Sequence, residues 1–338
     1  MKTLIDGRVL RHSHITGVER YCLSLVEEFK KTGFEFDVAA PGSTNRYLQH
    51  IWENTVLPNK AANYDVLFCP GNMSPLWKPK GCKYVTTIHD ISFRFYKDTY
   101  GFLYRSYHDM TIARVLGIAD AIIAVSNYEK EMISAYYPEA ASKIRVVYNG
   151  INENLKNRPV IYEKDKYILY VGSLNKRKNL GGIIDAFLKI SERISHDLVI
   201  AGAEGKVYSG TQRKDHNRIK YLGFVADNEL IELYRKASVF VFPSFYEGFG
   251  FPPLEAMALG CPVITSNVSC LPEIVGNAAI RIDPKNIDEI SDTIIRVVNS
   301  DELRRTLIEK GLEKVKSYSW AKSAQELIQI FREVSARV

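Results

Sequence analysis

Short apolar runs alternate with longer amphipathic stretches through the first half of the chain. Apolar residues recur at helical spacing from Val18 to Phe29, which predicts a helix over residues 18–31 that ends before Gly33. Runs rich in Val, Ile, Tyr and Phe predict strands over residues 2–6, 35–39, 65–68, 84–88, 121–125 and 144–147. Strands that alternate with helices predict a parallel sheet covered by helices on both faces.

The alternation restarts after a polar stretch over residues 151–166, which is expected to link two domains. Strands are predicted over 167–171, 198–201, 219–222, 239–242 and 263–265, and helices over 180–193, 228–236, 253–259 and 287–298. The tail from Asp301 is helical and breaks near Ser319. The predicted fold class is α/β, with two doubly wound Rossmann-like domains over residues 1–155 and 156–318 that face each other across a ligand cleft. A final helix over residues 319–338 is expected to cross back to the first domain, because its apolar face needs a cover.

Composition and charge narrow the class of ligand. The chain has 338 residues, 46% hydrophobic and 25% charged, as in soluble globular proteins, and a net charge of +6. Its longest basic cluster, Lys176-Arg177-Lys178, is too short for a nucleic-acid-binding arm but suits one phosphate group. We therefore expect an anionic small molecule and no nucleic acid, with weak attraction to an anionic membrane left open.

The cysteines and the amino terminus favour a cytoplasmic protein. Five cysteines without a CxxC pair are expected to be reduced core residues. The first residues run directly into a predicted strand, so no signal peptide is expected. No apolar run approaches the roughly 20 residues that span a bilayer. We expect a cytoplasmic location, with peripheral contact with the membrane as the other possibility.

The segment from Phe242 to Ile264 carries the clearest chemical signal. A predicted strand ends at Phe242, a glycine-containing loop follows, and a helix is expected to begin near Pro253. Such a loop directs backbone amides and a helix N-terminus toward phosphate. Glu247 in the loop and Glu255, expected in the first helical turn, suit a ligand with a diol at each end and phosphate between, such as a sugar nucleotide. The alternative, that Glu255 only complements the helix dipole, explains neither Glu247 nor the glycines of the loop.

Glu247 and Glu255, with seven residues between them, match an E-x7-E motif, and the segment resembles glycosyltransferase family 4. The resemblance extends over nearly the whole chain and is closest to bacterial mannosyltransferases of polysaccharide synthesis. Its further landmarks are Ile5–Arg8, Thr16–Tyr21, Thr86–Asp90, Ala124–Ser126, Val147–Ile151, Tyr170–Leu174 and Arg177–Leu180.

The resemblance implies a GT-B fold and transfer of a sugar from a nucleotide-diphosphate donor with retention of configuration. It implies that Glu247 contacts hydroxyls of the donor sugar and that Glu255 contacts the ribose. His89 is expected near the anomeric carbon and Asp90 nearer the acceptor, so His89, Glu247 and Asp90 are the candidate catalytic residues. The candidate donor-binding residues are Gly17, Arg177, Lys178, Ser244, Gly248, Phe249, Gly250 and Glu255. Many relatives carry arginine where Ser173 stands, and Arg177 is expected to supply that charge.

The expected mechanism needs neither a metal nor another cofactor. Lysine, arginine and helix amides stabilise the departing diphosphate, and the sequence has no Asp-x-Asp triplet. GDP-mannose is the favoured donor, with UDP-linked and dTDP-linked sugars open. The expected acceptor is a glycan, lipid-linked, of the bacterial surface.

Three rival interpretations remain at this point. A nicotinamide or flavin oxidoreductase is disfavoured because no G-x-G-x-x-G follows the first strand. Another GT-B enzyme, such as a sugar-nucleotide epimerase or a phosphorylase, stays open. So does a catalytically inactive paralogue that acts as a scaffold.

Overall fold

A computed structural model describes residues 1–11, 17–96, 101–173, 175–202 and 214–336. Thr16 and Leu174, from two of the motif segments, lie outside the described residues. The chain forms two compact units. The first comprises Met1–Gly150 and Ser319–Val338, and the second comprises Ile151–Tyr318.

The described residues of the first unit form a parallel sheet of six strands in the order β2-β1-β3-β4-β5-β6. The strands are β1 (Thr3–Asp6), β2 (Phe36–Ala39), β3 (Val66–Cys69), β4 (Lys83–Ile88), β5 (Ala121–Ala124) and β6 (Ile144–Val146). The helices are α1 (Gly17–Lys31), α2 (Arg46–Ala61), α3 (Phe102–Ile118) and α4 (Asn127–Tyr136). All residues of β1, β3 and β5 are buried, as expected for strands covered on both faces. Because the strands are parallel, the segments that follow Asp6, Cys69 and Ile88 emerge at the same edge of the sheet.

The second unit repeats this architecture, with six described strands in the order β12-β11-β10-β7-β8-β9. They are β7 (Asp165–Val171), β8 (Asp197–Ala201), β9 (Ile219–Gly223), β10 (Ala237–Phe242), β11 (Val263–Ser266) and β12 (Ile280–Ile282). The helices are α5 (Glu153–Lys156), α6 (Leu180–Ile190), α7 (Asp227–Lys236), α8 (Phe251–Ala258), α9 (Leu271–Val275), α10 (Ile287–Val298) and α11 (Asp301–Val315). Its core packs apolar strand residues such as Ile168 and Val239 against Phe187 of α6 and Ile294 of α10.

The last helix, α12 (Trp320–Ser335), belongs to the first unit. Phe331 packs against Phe29 of α1 and Phe68 of β3, with ring centroids 6.1 and 5.1 Å apart. The Ser323 hydroxyl donates to the carbonyl oxygen of Tyr148 at 2.6 Å. The apolar face of α12 is thereby buried against α1 and the sheet.

Most elements match the sequence prediction, and the α/β fold class is confirmed. Each predicted strand is present, with ends shifted by at most two residues. Differences from the prediction include the boundary between the units, the end of α6 and strand β12. Residues 151–155 belong to the second unit, because the amide of Ile151 and the ammonium group of Lys156 both donate to the carbonyl oxygen of Tyr318. The helix predicted over 180–193 ends at Ile190 and continues as a 3-10 turn.

The third difference is strand β12, which the sequence analysis missed because three residues are too few for a periodic pattern. Among the described residues, no helix is both long and apolar enough to cross a membrane.

Candidate functional site

The loop after β10 is held between the carboxyl ends of two neighbouring strands. Ser244, buried directly beyond the apolar strand, donates its hydroxyl to Oε1 of Glu247 at 2.6 Å. The Ser266 hydroxyl at the end of β11 donates to the carbonyl oxygen of Ser244 at 2.6 Å. The amide of Glu247 donates to the hydroxyl of Ser269 at 3.2 Å. These bonds fix the Glu247 carboxylate at the edge of the sheet.

Helix α8 begins at Phe251, two residues before the predicted start near Pro253. Gly250 forms its N-cap with φ of +93°, and a Cβ there would lie 2.9 Å from Cδ2 of Leu271. Only glycine fits this left-handed, crowded position without strain. Glu255 is therefore the fifth residue of the helix, beyond the first turn in which it was predicted to lie. Since dipole effects fade beyond the first turn, dipole complementation is a weaker explanation of this buried carboxylate.

Gly248 and Phe249 connect Glu247 to the start of α8. Both are buried, and the Phe249 ring packs on Phe251 and Tyr318 with centroids 5.2 and 5.7 Å apart. Since this ring packs within the unit, a ligand contact by Phe249 would use its backbone.

The basic cluster forms a 3-10 turn (Lys176–Lys178) between β7 and α6. Oδ1 of Asn175 accepts from the amide of Lys178 at 3.0 Å. Asn179, with φ of +55°, caps α6 by accepting from the amide of Gly182. The ends of the turn are thus specified by asparagines at positions that asparagine favours.

Two cations of this turn meet the Glu247 carboxylate. Nζ of Lys178 lies 2.5 Å from Oε1 of Glu247 and 5.1 Å from the centroid of the Phe242 ring. The Arg177 guanidinium donates to the carbonyl oxygen of Tyr246 at 2.5 Å and lies 3.7 Å from Oε2 of Glu247. Oε1 thus accepts two hydrogen bonds, while Oε2 keeps capacity to accept from a ligand hydroxyl.

The two cations of this cluster favour an anion. Lys178 and Arg177 place two cations beside the Glu247 carboxylate, and the three side chains are 13%, 13% and 9% exposed. Cationic side chains that are mostly shielded from water attract an anionic ligand strongly, because solvent screens them little. The amides at the N-terminus of α8 follow the same loop and also favour negative charge.

In the first unit, His89 follows β4 and is held by its backbone and its ring. Its amide donates to Oδ1 of Asn72 at 2.6 Å, and its Nε2 lies 2.7 Å from the carbonyl oxygen of Pro70. Because a carbonyl oxygen can only accept, Nε2 carries the proton and a neutral ring presents Nδ1 as an acceptor. Tyr21 packs edge-on at 4.8 Å between centroids, and its hydroxyl lies 3.0 Å from the Thr87 hydroxyl.

The pKa of His89 is lowered mainly by burial. The hydrogen bond to Pro70 and the carboxylates of Asp90 and Glu19 oppose this shift without cancelling it. The ring is therefore neutral at neutral pH. A neutral imidazole with a fixed tautomer can accept or polarise without adding a competing positive charge.

Asp90 and Gly17 complete the predicted set in this unit. Oδ1 of Asp90 accepts from the amide and hydroxyl of Ser92 at 3.0 and 2.7 Å, which starts a 3-10 turn (Ser92–Arg94). Gly17 is exposed as the first residue of α1.

The structure brings Arg177, Lys178, Ser244 and Glu247 into one connected cluster, with the Gly248–Glu255 segment directly after it. His89 and Asp90 are neighbours in the first unit. Sequence reasoning missed the residues that hold these side chains: Tyr21, Pro70, Asn72, Asn175, Ser266 and Ser269. The signal that could have found Asn72 and Asn175 is the preference of asparagine for caps and left-handed backbone; φ of Asn72 is +62°. Among the described residues, no group of three or more His, Cys, Asp or Glu side chains could hold a metal ion.

Comparisons with known proteins identify the family. Residues 151–314 match the family described as glycosyl transferases group 1, and residues 45–155 match glycosyltransferase family 4. The O-antigen chain mannosyltransferase B of Escherichia coli is 33% identical over 273 residues, which cover 73% of this chain and 70% of that protein. The chain belongs to glycosyltransferase family 4.

Further relatives agree with this assignment. The glycosyltransferase is 30% identical over 230 residues to the O-antigen chain mannosyltransferase RfbU of Salmonella typhimurium, with 63% of each chain covered. Among solved structures, sucrose-phosphate synthase from Thermosynechococcus elongatus superposes with a TM-score of 0.79 at 19% identity over the full length of both chains. Anabaena HepE in complex with UDP-glucose gives a TM-score of 0.71 at 16% identity, over 98% of this chain and all of that chain. These structural matches confirm the GT-B fold.

Proposed function

We propose that this glycosyltransferase transfers a hexose from a nucleotide-diphosphate sugar to a hydroxyl of a growing, lipid-linked bacterial surface glycan, with retention of configuration. GDP-mannose is the favoured donor. The observation that carries the donor site is the cluster of Lys178, Arg177 and Glu247, whose two neighbouring cations suit a diphosphate. The mannose preference rests on the names of the relatives, which are O-antigen mannosyltransferases. UDP-linked and dTDP-linked sugars are the alternatives that a donor screen decides.

Each side chain of the cluster has a proposed role. Lys178 and Arg177 pair with the diphosphate, assisted by the amides at the start of α8. Oε2 of Glu247 accepts hydroxyls of the transferred sugar. The Glu255 carboxylate accepts hydroxyls of the ribose, which is remote from the bond that breaks.

The proposed reaction is a front-face displacement. The bond between the anomeric carbon and the diphosphate oxygen breaks, the acceptor oxygen bonds to the same face of that carbon, and the acceptor proton passes to the departing phosphate. The neutral His89 stabilises the sugar as positive charge develops on it, and Asp90 orients the acceptor. The protein thus contributes position and electrostatic stabilisation.

Glu255→Ala is expected to weaken binding of the nucleoside diphosphate by about 10- to 150-fold, because hydrogen bonds to a charged group are worth roughly 1.5–3 kcal/mol. Turnover at saturating donor should change less, since the ribose contact is nearly uniform along the reaction. Calorimetry with free GDP measures the affinity, and initial rates at saturating donor measure the turnover. Glu309→Ala, which alters an exposed glutamate of α11, is the matched control. Unchanged affinity in Glu255→Ala would reject the ribose assignment.

We also propose that catalysis needs no metal or other cofactor, since Lys178, Arg177 and the helix amides neutralise the leaving diphosphate. Turnover is therefore expected to persist in excess EDTA at close to its original rate. Complete loss of turnover in EDTA, restored by Mg²⁺ or Mn²⁺, would contradict this proposal.

An exposed apolar face on α2 and α3 supports peripheral contact with an anionic membrane. Tyr47 and Ile51 of α2 are 82% and 59% exposed, and Met110 of α3 is 67% exposed. The rings of His50 and Tyr107, 6.3 Å apart, place the two helices side by side. The carboxylates of both helices are paired, since Glu53 is buried against Arg8 and Asp109 pairs with Arg94 at 2.6 Å. The face therefore presents apolar groups without an unpaired carboxylate, as an anionic lipid surface requires.

Leu48 of α2 is 52% exposed beside Ile51. The double variant Leu48→Glu/Ile51→Glu is expected to lose cosedimentation with phosphatidylglycerol vesicles, because it places two negative charges on this face. Phe224→Glu is the control, since Phe224 is an exposed apolar residue of the second unit, at 81%. Equal loss in both variants, or no cosedimentation of the unaltered protein, would refute this surface.

A further inference from the structure

A buried ion cluster lies at the carboxyl end of β1. The Arg8 guanidinium donates to Oε2 of Glu53 on α2, and Nε of Arg8 lies 3.9 Å from Oδ2 of Asp6. The amide of Arg8 also donates to Oδ1 of Asp6 at 3.0 Å. All three side chains are buried. Nδ1 of His50 also lies 3.3 Å from Oε2 of Glu53. Because the buried polar groups are held by contacts to one another, the cluster holds the segment after β1 in one position.

The segment that this cluster holds packs directly on the support of His89. The amide of Gly7 donates to the carbonyl oxygen of Ala39 at 2.7 Å, and Leu10 bonds back to Gly7, so residues 7–10 form a fixed turn. Val9, buried within this turn, stands against Gly71: a Cβ on Gly71 would lie only 2.7 Å from Cγ1 of Val9.

Gly71 connects the two residues that hold His89. The carbonyl oxygen of Pro70 accepts from the His89 ring, and the side chain of Asn72 accepts from its amide. Displacement of residues 70–72 would move both acceptors together. Because residues 70–72 are distant from β1 in sequence, this connection exists only in the folded chain.

We propose that Asp6, Arg8 and Glu53 position His89, with Val9 and Gly71 as the packing contact between the ion cluster and the segment over residues 70–72. They are positioning residues for the transfer reaction, and the proposal rests on the catalytic role assigned to His89. It assigns no role to them in nucleotide binding, for which the side chains proposed above belong to the second unit.

The test is Gly71→Ala, which inserts a methyl group where Val9 stands. We expect turnover of GDP-mannose, with or without acceptor, to fall by about 10- to 100-fold, since small misplacements of a catalytic group cost factors of this size. Affinity for GDP should stay within about twofold, a negligible change in binding free energy. Nitrogen NMR of the His89 ring should show a changed tautomer balance. Gly117→Ala, where an added Cβ meets nothing within 4 Å, is the matched control and should alter none of these readouts.

Rescue separates positioning from general damage. Val9→Ala removes the methyl group that the new Cβ meets, so Val9→Ala/Gly71→Ala should regain turnover and the original His89 resonances. If Gly71→Ala does not fold, Arg8→Lys provides the same comparison, with Arg11→Lys, an exposed neighbour, as its control. Unchanged His89 resonances in folded Gly71→Ala, or no rescue by Val9→Ala, would overturn the inference. Altered His89 resonances with normal turnover would instead refute the catalytic role of His89 in the proposed function. The packing contact through Val9 and Gly71 would still be supported.

Discussion

Lys178→Ala should reduce both the affinity for GDP and the turnover of bound donor. Removing a charge-assisted contact to the diphosphate should weaken GDP binding by about 10- to 150-fold. Turnover should fall further, since negative charge on the diphosphate grows as the glycosidic bond breaks. Calorimetry with GDP and rates at saturating GDP-mannose measure the two effects.

The neighbouring lysine of the same turn supplies the control for this experiment. Lys176 is exposed and Lys178 is mostly buried beside Glu247, so Lys176→Ala changes the net charge equally without reaching the cluster. Lys178→Ala also leaves Glu247 with Ser244 and the more distant Arg177 as its partners, so thermal unfolding must be checked in parallel. Equal losses in the two variants would show that only bulk charge matters, which contradicts the proposed diphosphate site.

His89→Gln is expected to produce the complementary result. Turnover should fall by roughly 100- to 10,000-fold, the range typical for loss of a positioned catalytic side chain, while GDP affinity stays nearly unchanged. The lowered pKa of His89 adds a pH signature, because the active form is neutral. Activity should persist as the pH falls past the usual pKa of histidine and then disappear when the ring is protonated.

His216→Gln, in the second unit, is the control for the pH profile. Rates at saturating donor between pH 5 and 8, with GDP affinities at the same pH values, complete the comparison. If His89→Gln binds GDP poorly yet turns over normally when saturated, the assignment of His89 to the chemical step is wrong.

The sequence predicted most of the elements because their signals are local. The apolar runs that end at Phe242 and Ile88 are strands in the structure, and Glu247 follows the first of them as expected. The expected ligand contacts of Glu247 and Glu255 came instead from a family resemblance, since the position of a carboxylate in a sequence does not reveal which ligand it binds. The start of α8 was misplaced because the left-handed Gly250, rather than the prolines, sets the first turn.

What escaped prediction depends on residues that are distant in sequence. Arg8 and Glu53 are 45 positions apart, and His89 is held by Asn72 from 17 positions away. Neither pair leaves a periodic pattern. Arg8 meets Glu53 only when the folded chain brings α2 to the end of β1, and His89 meets Asn72 only when parallel strands bring their carboxyl ends to one edge of the sheet. Asn175 and Asn179 cap elements that are adjacent in sequence, so their role could have been predicted. It was missed because the basic residues between them were interpreted only as a phosphate-binding motif.

The most direct test of the central claim is to incubate the purified protein with GDP-mannose and follow the anomeric proton signals by NMR. We expect release of GDP and a first-formed mannose, or a mannosyl product when an acceptor is present, with the α configuration of the donor. Lys178→Ala should release almost none. Release of the β anomer would contradict retention. Absence of any donor cleavage with GDP-, UDP- and dTDP-linked sugars would contradict the claim that this chain is an active glycosyltransferase.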